Sequence, residues 1–337
     1  MQYDSYLAVG DENRSYFFAS DNRSIVSSPN RGKYFGVFGG ILGPPEYWDA
    51  TVKELLAASE RDGNKIGFFA TDQRLTDVLV ANGFQANKFG ESSIIDLAQN
   101  DWKGKKFEWV RRQSNYCRRQ NLEFEEQFVD QMSVEDRETL ISELLEIERL
   151  FLAGRPYRNR LKYVVGEFTG RITSNQRLFV VRNPEKNHFE SFVVCNPCEN
   201  GERLVLECFR RRPDSTRGVM SFMLHQAMKQ FQTEGISKAD LCIAPFTNCK
   251  EPIENDSWLT RKVITLIGDR LGGVYDAKGL HHFKSRFRPQ FENLYVSAYP
   301  KIDAHWIYYV IAECGFLNLH LGRLLRQVWQ SRKSSRG

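Results

Sequence analysis

The sequence predicts a mixed α/β (α+β) fold built in two similar halves, and three features predict it. Strand-like and helix-like apolar patterns alternate along the chain, and the same order of elements recurs in the second half. A chain of 337 residues with 41% apolar content can bury two cores without disulfides or metals. Aromatic residues at 13% and charged residues at 26% describe an ordinary globular protein and exclude a disordered one.

Taken in order, "SYFFAS", "SIVSS" and "YFGVFGG" read as strands. The Gly/Pro loop "GGILGPP" leads into a helix "EYWDATVKELLAASERDG", a strand "KIGFFAT", a helix "RLTDVLVANGF" and a strand "SSIIDL". The glycine of "ANGF" stands where a helix C-cap requires it. From Val134 to Gly154, the spacing of Leu140, Leu144, Leu145 and Ile147 predicts a helix that bridges the halves. The second half repeats the order with strands "RLFVVRN", "FESFVVC" and "RLVLECF", an arginine-rich loop and a helix "GVMSFMLHQAMKQFQTEG". A strand "KADLCIAP", a helix "WLTRKVITLIGDRLGG" and a final strand near "NLYVSAYP" complete it. No sequence repeat accompanies this duplication of elements. The expected division is 1–130 for the first half with a basic helix, 131–300 for the second, and 301–337 for a C-terminal amphipathic helix and basic tail.

Seven cysteines without a framework spacing suit a reducing compartment. The N-terminus "MQYDSYLAVGDENRSYFF" has no basic segment followed by an apolar one, and no 18 apolar residues run uninterrupted. A cytoplasmic protein is expected. "CNPC" at Cys195 to Cys198 has half the spacing of a zinc site, but Cys242 and Cys249 are seven apart. Its Asn-Pro reads as a hairpin turn, and no metal is expected.

The net charge of +5 is modest, but its distribution is uneven. The tail from Leu321 holds Arg323, Arg326, Arg332, Lys333 and Arg336 with no acid. In "WKGKKFEWVRRQSNYCRR", seven cations face Glu108 alone. Arg111 and Arg118 are seven apart, as are Arg112 and Arg119, so each pair shares a helix face. The result is a cationic stripe about 10 Å long, interleaved with Trp109 and Tyr116. With Lys105 it fits a phosphate backbone; a solvated helix face is the alternative. From His305 to Val328, Trp306, Tyr309, Val310, Leu317, Leu321, Leu324 and Val328 recur at helical spacing. That helix either lies on an anionic membrane, peripheral at its inner face, or packs on the body of the protein.

In "FRRRPDSTRGVMSFMLHQAM", residues 209 to 228, three arginines stand where a strand turns into a helix. Helix N-termini bind anions. Strand, anion loop, helix, strand and helix in a mixed sheet resemble an acyltransferase of the Gcn5-related N-acetyltransferase type. That superfamily's pyrophosphate loop has closely spaced glycines, whereas here Gly218 stands alone.

In the second half, "FRRRPDSTRGVMSFML", "CIAP" and "GLHHFKSRFRPQFENLYVSAYP" stand in this order. With them the second half is moreover similar to the C-terminal catalytic domain of the phosphatidylglycerol lysyltransferases. In the first half, "GGILG", "FGESSIIDL" and "KGKKFEWVRRQSNYCRRQNLEFE" follow in the family's order, so the resemblance runs nearly to Pro300. It implies tandem acyltransferase-like domains that move an aminoacyl group from aminoacyl-tRNA to a lipid head-group hydroxyl, with no cofactor. The family's Asn before the loop glycine is Arg217 here, and the acid that often follows the Met is Ser221. The acceptor is therefore open between a lipid and a soluble small molecule or peptide, and a non-catalytic tRNA- or lipid-binding relative is a third reading.

On this resemblance Arg210, Asp214 and Lys284 are the catalytic candidates. Asp214 would hold the aminoacyl ammonium, and Arg210 and Lys284 the tRNA terminus or the oxyanion. Arg212, Gly218, His282 and Arg286 are candidates for substrate binding, and Lys105, Arg111, Arg112, Arg118 and Arg119 for tRNA. The adjacent His281 and His282 cannot both face one site, so at most one moves a proton. A plainer reading makes Asp214 an N-cap and the arginines a solvated face.

Overall fold

The computed structural model describes residues 13–29, 34–154, 162–166, 168–270 and 276–315. In chain order they form β1 (Arg14–Phe18), β2 (Ile25–Pro29), β3 (Tyr34–Phe38), β4 (Ile41–Leu42), α1 (Trp48–Asp62), β5 (Lys65–Thr71), α2 (Gln73–Ala81), β6 (Gln85–Asp96), α3 (Glu108–Arg119), β7 (Glu123–Gln127) and α4 (Val134–Ala153). There follow α5 (Lys162–Val165), β8 (Arg177–Asn183), β9 (His188–Cys198), β10 (Arg203–Arg211), α6 (Val219–Thr233), β11 (Lys238–Pro245), α7 (Trp258–Arg270), α8 (Ala277–Ser285), β12 (Gln290–Ala298) and α9 (Ala304–Glu313). Helix starts are set by local chemistry. Asp72, Ser133, Asp276 and Asp303 each accept a main-chain N–H from the first turn of the helix they precede.

Nine strands make one sheet in the order β3-β5-β12-β6-β11-β10-β9-β8-β7, and β1, β2 and β4 make a small second one. The sheet crosses between the halves. β12, from the end of the chain, lies between β5 and β6, and β7 lies at the far edge beside β8. Among the described residues only β3/β5 and β10/β11 are parallel pairs, because each is joined by a crossover helix, α1 or α6. β3 and β5 stay paired from Tyr34↔Lys65 to Phe38↔Phe69. β10 and β11 pair only from Arg203↔Lys238 to Val205↔Asp240. Beyond that point bulges shift the register of both strands against their other neighbours, and the pair parts.

In the first half, Leu55, Leu75 and Leu79 of α1 and α2 pack on Val37, Ile66 and Phe68. α9 joins the other core cluster there, with Trp306 and Tyr309 among Phe38 and Phe69. Two strand glycines make room for it: a Cβ at Gly67 would lie 2.4 Å from the Trp306 ring, and one at Gly36 2.3 Å from Tyr309. Ala304–Glu313 packs one face on the body of the protein through Trp306, Tyr309 and Val310, while Leu317 to Val328 lie outside the described residues. In the second half's core, α6 and also α3, which by chain position belongs to the first half, bury Val110, Cys117, Phe222 and Phe231 against Phe179, Val193 and Leu206. Leu140, Leu144 and Ile147 of α4 pack with Val180, Phe192 and Cys208.

"CNPC" is not a turn. Asn196 and Pro197 pair with Val205 and Leu204 inside β9, and the chain reverses at residues 199–201. β8 pairs with β9 only as far as Cys195, so the missing N–H of Pro197 removes no ladder bond on that side.

Candidate active site

The arginine loop receives its anion from within the protein. Glu190 of β9, fully buried, accepts the main-chain N–H of Thr216 at 2.7 Å and its hydroxyl at 3.0 Å. Asn183 Nδ2 donates to the same carboxylate at 2.7 Å, and Lys186 Nζ at 3.4 Å. Burial alone would raise the Glu190 carboxyl; the hydrogen bonds from Asn183 and Thr216, with the charge of Lys186, outweigh it and hold the group below the usual range. The opening turn of α6 thus already faces a carboxylate.

This changes the roles expected of the loop. Gly218 precedes α6 at φ 85°, and a Cβ there would lie 2.5 Å from Gln113 Oε1 of α3. It serves a left-handed turn and a close helix approach rather than a substrate. Arg210 is 2% exposed. Its Nε donates to Glu148 at 2.5 Å, its Nη2 to the Gly166 carbonyl at 2.9 Å, and its guanidinium lies 4.5 Å from the Phe151 ring. Arg212 Nε donates to the Phe189 carbonyl at 2.8 Å, with Glu143 at 3.7 Å. Asp214 is exposed and makes no hydrogen bond or ion pair among the described residues. The expectation that Arg210 and Asp214 meet one aminoacyl end is therefore corrected: one is turned inward and neutralised, the other faces solvent. Asp214 does not cap α6 either, since Gly218 is the cap residue and no side chain caps the helix.

A different cluster forms on α8. Lys284 is 1% exposed, and its Nζ donates to the carbonyls of Cys242 and Ile243, each at 2.8 Å. Those carbonyls lie just past the last β10–β11 pair, where Cys242 takes φ 65°. Burial pulls the Lys284 ammonium down to about 8, with Cys242 and Asp240 opposing the fall. Asp240 is itself buried and pushed up to about 6, against the pull of Arg203 at 3.7 Å and a 2.8 Å bond from Ser92 Oγ. One turn before Lys284, His281 stacks on Phe291 at 4.4 Å and places Nε2 3.5 Å from Glu91. Glu91 also accepts from Lys88 at 2.8 Å and from Asn248 at 3.0 Å.

His282 points the other way. It is exposed and lies 3.0 Å from Arg286 Nη2, and the Arg286 guanidinium sits 5.5 Å from the Trp109 ring of α3. Arg288 Nε reaches the Lys106 carbonyl at 3.4 Å. Hence His282 and Arg286 join the basic surface of α3 instead of the interior. On that surface Arg111 is spent on the carbonyls of Trp102 and Gly104, both at 2.8 Å, and Arg118 on Asn115 and Gln226, both at 3.2 Å. Lys105, Arg112 and Arg119 are exposed and make no ion pair or hydrogen bond among the described residues. Glu91, Glu148 and Glu190 are the residues sequence reasoning missed. For Glu91 and Glu190 the signal is a lone acid in a strand stretch that is otherwise apolar or small; Glu148, among Glu143, Glu146 and Arg149 on α4, carries no such signal.

The family described as phosphatidylglycerol lysyltransferase, C-terminal, matches residues 2–298. The chain belongs to that family. Among curated relatives, the phosphatidylglycerol lysyltransferase of Staphylococcus aureus (strain COL) is 25% identical over 293 residues, covering 86% of this chain and 33% of the relative. The chain thus spans about a third of the length of the curated relatives it matches. A solved C-terminal domain of a lysylphosphatidylglycerol synthetase from Agrobacterium fabrum superposes with a TM-score of 0.75 at 21% identity, covering 94% of this chain and 92% of that one. L-PGS from Bacillus licheniformis gives 0.71 at 17%, covering 90% and 89%. At these identities the two structures establish a shared fold. The phosphatidylglycerol lysyltransferase match ends at the last residue of β12, so α9 lies beyond it.

Proposed function

We propose that the chain transfers an aminoacyl group from aminoacyl-tRNA to a head-group hydroxyl of a lipid such as phosphatidylglycerol, at the cytoplasmic face of a membrane. The observation that carries this reading is the engagement of Glu190 by Thr216. A coenzyme A donor would need those donors for its pyrophosphate. The exposed cations instead spread over α3 and the neighbouring end of α8, a layout suited to a run of phosphates.

An aminoacyl ester is already activated, so transfer needs placement, a proton route and oxyanion stabilisation. Attack by the lipid hydroxyl forms a new ester C–O bond and breaks the one to the tRNA ribose. In this reading Lys284, cationic at neutral pH, offers its remaining N–H to the tetrahedral oxyanion. His281, backed by Glu91, takes the hydroxyl proton and returns it to the leaving ribose oxygen. Arg112, Arg119, His282 and Arg286 hold the donor's phosphates.

The test is incubation with labelled aminoacyl-tRNAs and phosphatidylglycerol vesicles. Label should enter the organic phase with at least one aminoacyl-tRNA. Label in a small aqueous product instead would make the acceptor soluble, and no transfer with any aminoacyl-tRNA would end the reading.

A further inference from the structure

The helices α7 and α9 line an apolar cavity of about 150 Å³. Phe89, Phe246, Ile264, Val296, Trp306 and Val310 are among its walls, and Thr260 is the one polar residue lining it. A cavity of this size and lining accepts apolar ligands.

The exposed surface of these two helices carries apolar side chains too. Of the nine large hydrophobic side chains exposed among the described residues, four belong to these two helices: Trp258 (59%), Leu259 (61%) and Leu266 (48%) on α7, and Tyr308 (62%) on α9. Leu259 and Leu266 stand one turn either side of Val263, which lines the cavity. Such a grouping is out of place against water. Trp and Tyr beside a basic residue are the side chains that settle at a bilayer's head-group level. Lys262 holds its ammonium 4.2 Å from the centre of the Trp258 ring. Along α7, Arg261, Lys262 and Arg270 oppose Asp269 alone, and Asp269 is matched by Lys250 at 3.5 Å and Lys278 at 3.2 Å. Arg261 is itself paired with Asp256, and Lys262 is the cation held beside Trp258.

We propose that α7 and α9 form the membrane-docking face, and that the cavity between them takes an acyl chain of the lipid in the bilayer. The cavity adjoins the charged cluster. Ile243, whose carbonyl receives the Lys284 ammonium, packs in one apolar cluster with Phe89, Ile264 and Phe246. A lipid head group at Lys284 and His281 would therefore have the apolar walls of the cavity for its tail a few residues away. That last step rests on the lipid-transferase reading; the docking face does not.

The test uses the full chain with vesicles of phosphatidylcholine and phosphatidylglycerol, the phosphatidylcholine brominated in its acyl chains. Tryptophan emission should be quenched, and Trp258→Phe should remove most of that quenching. Equal quenching of Trp258→Phe and the parent would place other tryptophans, not α7, in the bilayer and overturn the proposal. Leu259→Glu with Leu266→Glu, both at exposed positions, should lower transfer to vesicle lipid about tenfold or more and leave transfer to a monomeric short-chain phosphatidylglycerol unchanged. Parent-like transfer to vesicles by this double variant would also overturn it. Trp258 quenching without any transfer of label would remove the enzyme reading and keep the docking face. Transfer of label without Trp258 quenching would do the reverse.

Discussion

The crossovers β3-α1-β5 and β10-α6-β11 are the same device put to different ends. In the first, five residue pairs hold the parallel strands together and apolar side chains seal them, Val37, Ile66 and Phe68 toward α1 and α2, Phe38 and Phe69 toward α9. In the second, three pairs hold the strands at their start, and buried charge surrounds the stretch where they part. Lys284 lies on the carbonyls of β11, Arg210 reaches Glu148 from β10, and Asp240 faces Arg203 at the base. Buried charge survives only where it is paired or hydrogen-bonded. The first crossover is a support, and the second gives up stability to place ions.

The largest effect should come from breaking an ion pair in the second crossover. Glu148→Ala leaves the Arg210 guanidinium buried without its carboxylate, and unfolding free energy should fall by about 3–5 kcal/mol. Chemical denaturation measures it. A loss below about 1 kcal/mol would mean that water reaches Arg210 and that this crossover is as plain as the first.

Lys284→Met should leave stability nearly intact, since a buried charge is exchanged for an apolar chain of similar length, and lower turnover by a factor of about 10²–10³. The pH dependence sharpens the point. Burial sets the Lys284 ammonium at about 8, below its ordinary 10.5. If the cation meets the oxyanion, turnover falls as pH rises through about 8. The unfolded chain binds the extra proton between those two values, so this group's contribution to stability rises with pH over the same window. Opposite slopes for activity and stability, both absent in Lys284→Met, are the expected signature. Turnover that rises through about 8 would make Lys284 the base.

Local pattern explains why so much of the scaffold is legible. "KIGFFAT", "RLFVVRN" and "KADLCIAP" coincide with β5, β8 and β11 because buried strands declare themselves by composition. Partnerships across long separations do not. Arg210 meets an acid 62 residues away, and Glu190 closes a loop that looks like an anion site when read alone. β12 joins β5 and β6 from the other end of the chain. The packing of α9 does have a local sign, since a lone glycine within a strand pattern marks a close approach. "YFGVF" and "KIGFF" each carry one.

A smaller effect comes from that sign and falls on the first crossover. At Gly67, a Cβ would meet the Trp306 ring at 2.4 Å, so Gly67→Ala should cost about 1–3 kcal/mol of stability by overpacking. Turnover per folded molecule should not change, the mirror image of Lys284→Met. A fall in turnover without a fall in stability would show that the first crossover also takes part in the chemistry.

The smallest effect concerns the surface beside the second crossover. Arg112 and Arg119 are exposed, whereas the guanidinium groups of Arg111 and Arg118 are already used by Trp102, Gly104, Asn115 and Gln226. A phosphate competes poorly for a guanidinium that already serves two carbonyls. Replacing Arg112 and Arg119 together by Ala should therefore reduce the slope of log affinity for tRNA against log salt by about two at most, with turnover at saturating donor unchanged. Arg111→Ala should act through the segment from Trp102 to Gly104 that it ties down, lowering stability and leaving the slope alone. A slope that falls for Arg111 and Arg118 but not for Arg112 and Arg119 would show that tRNA breaks the internal bonds of α3 on binding, and would place the phosphates on the face of that helix turned toward α6.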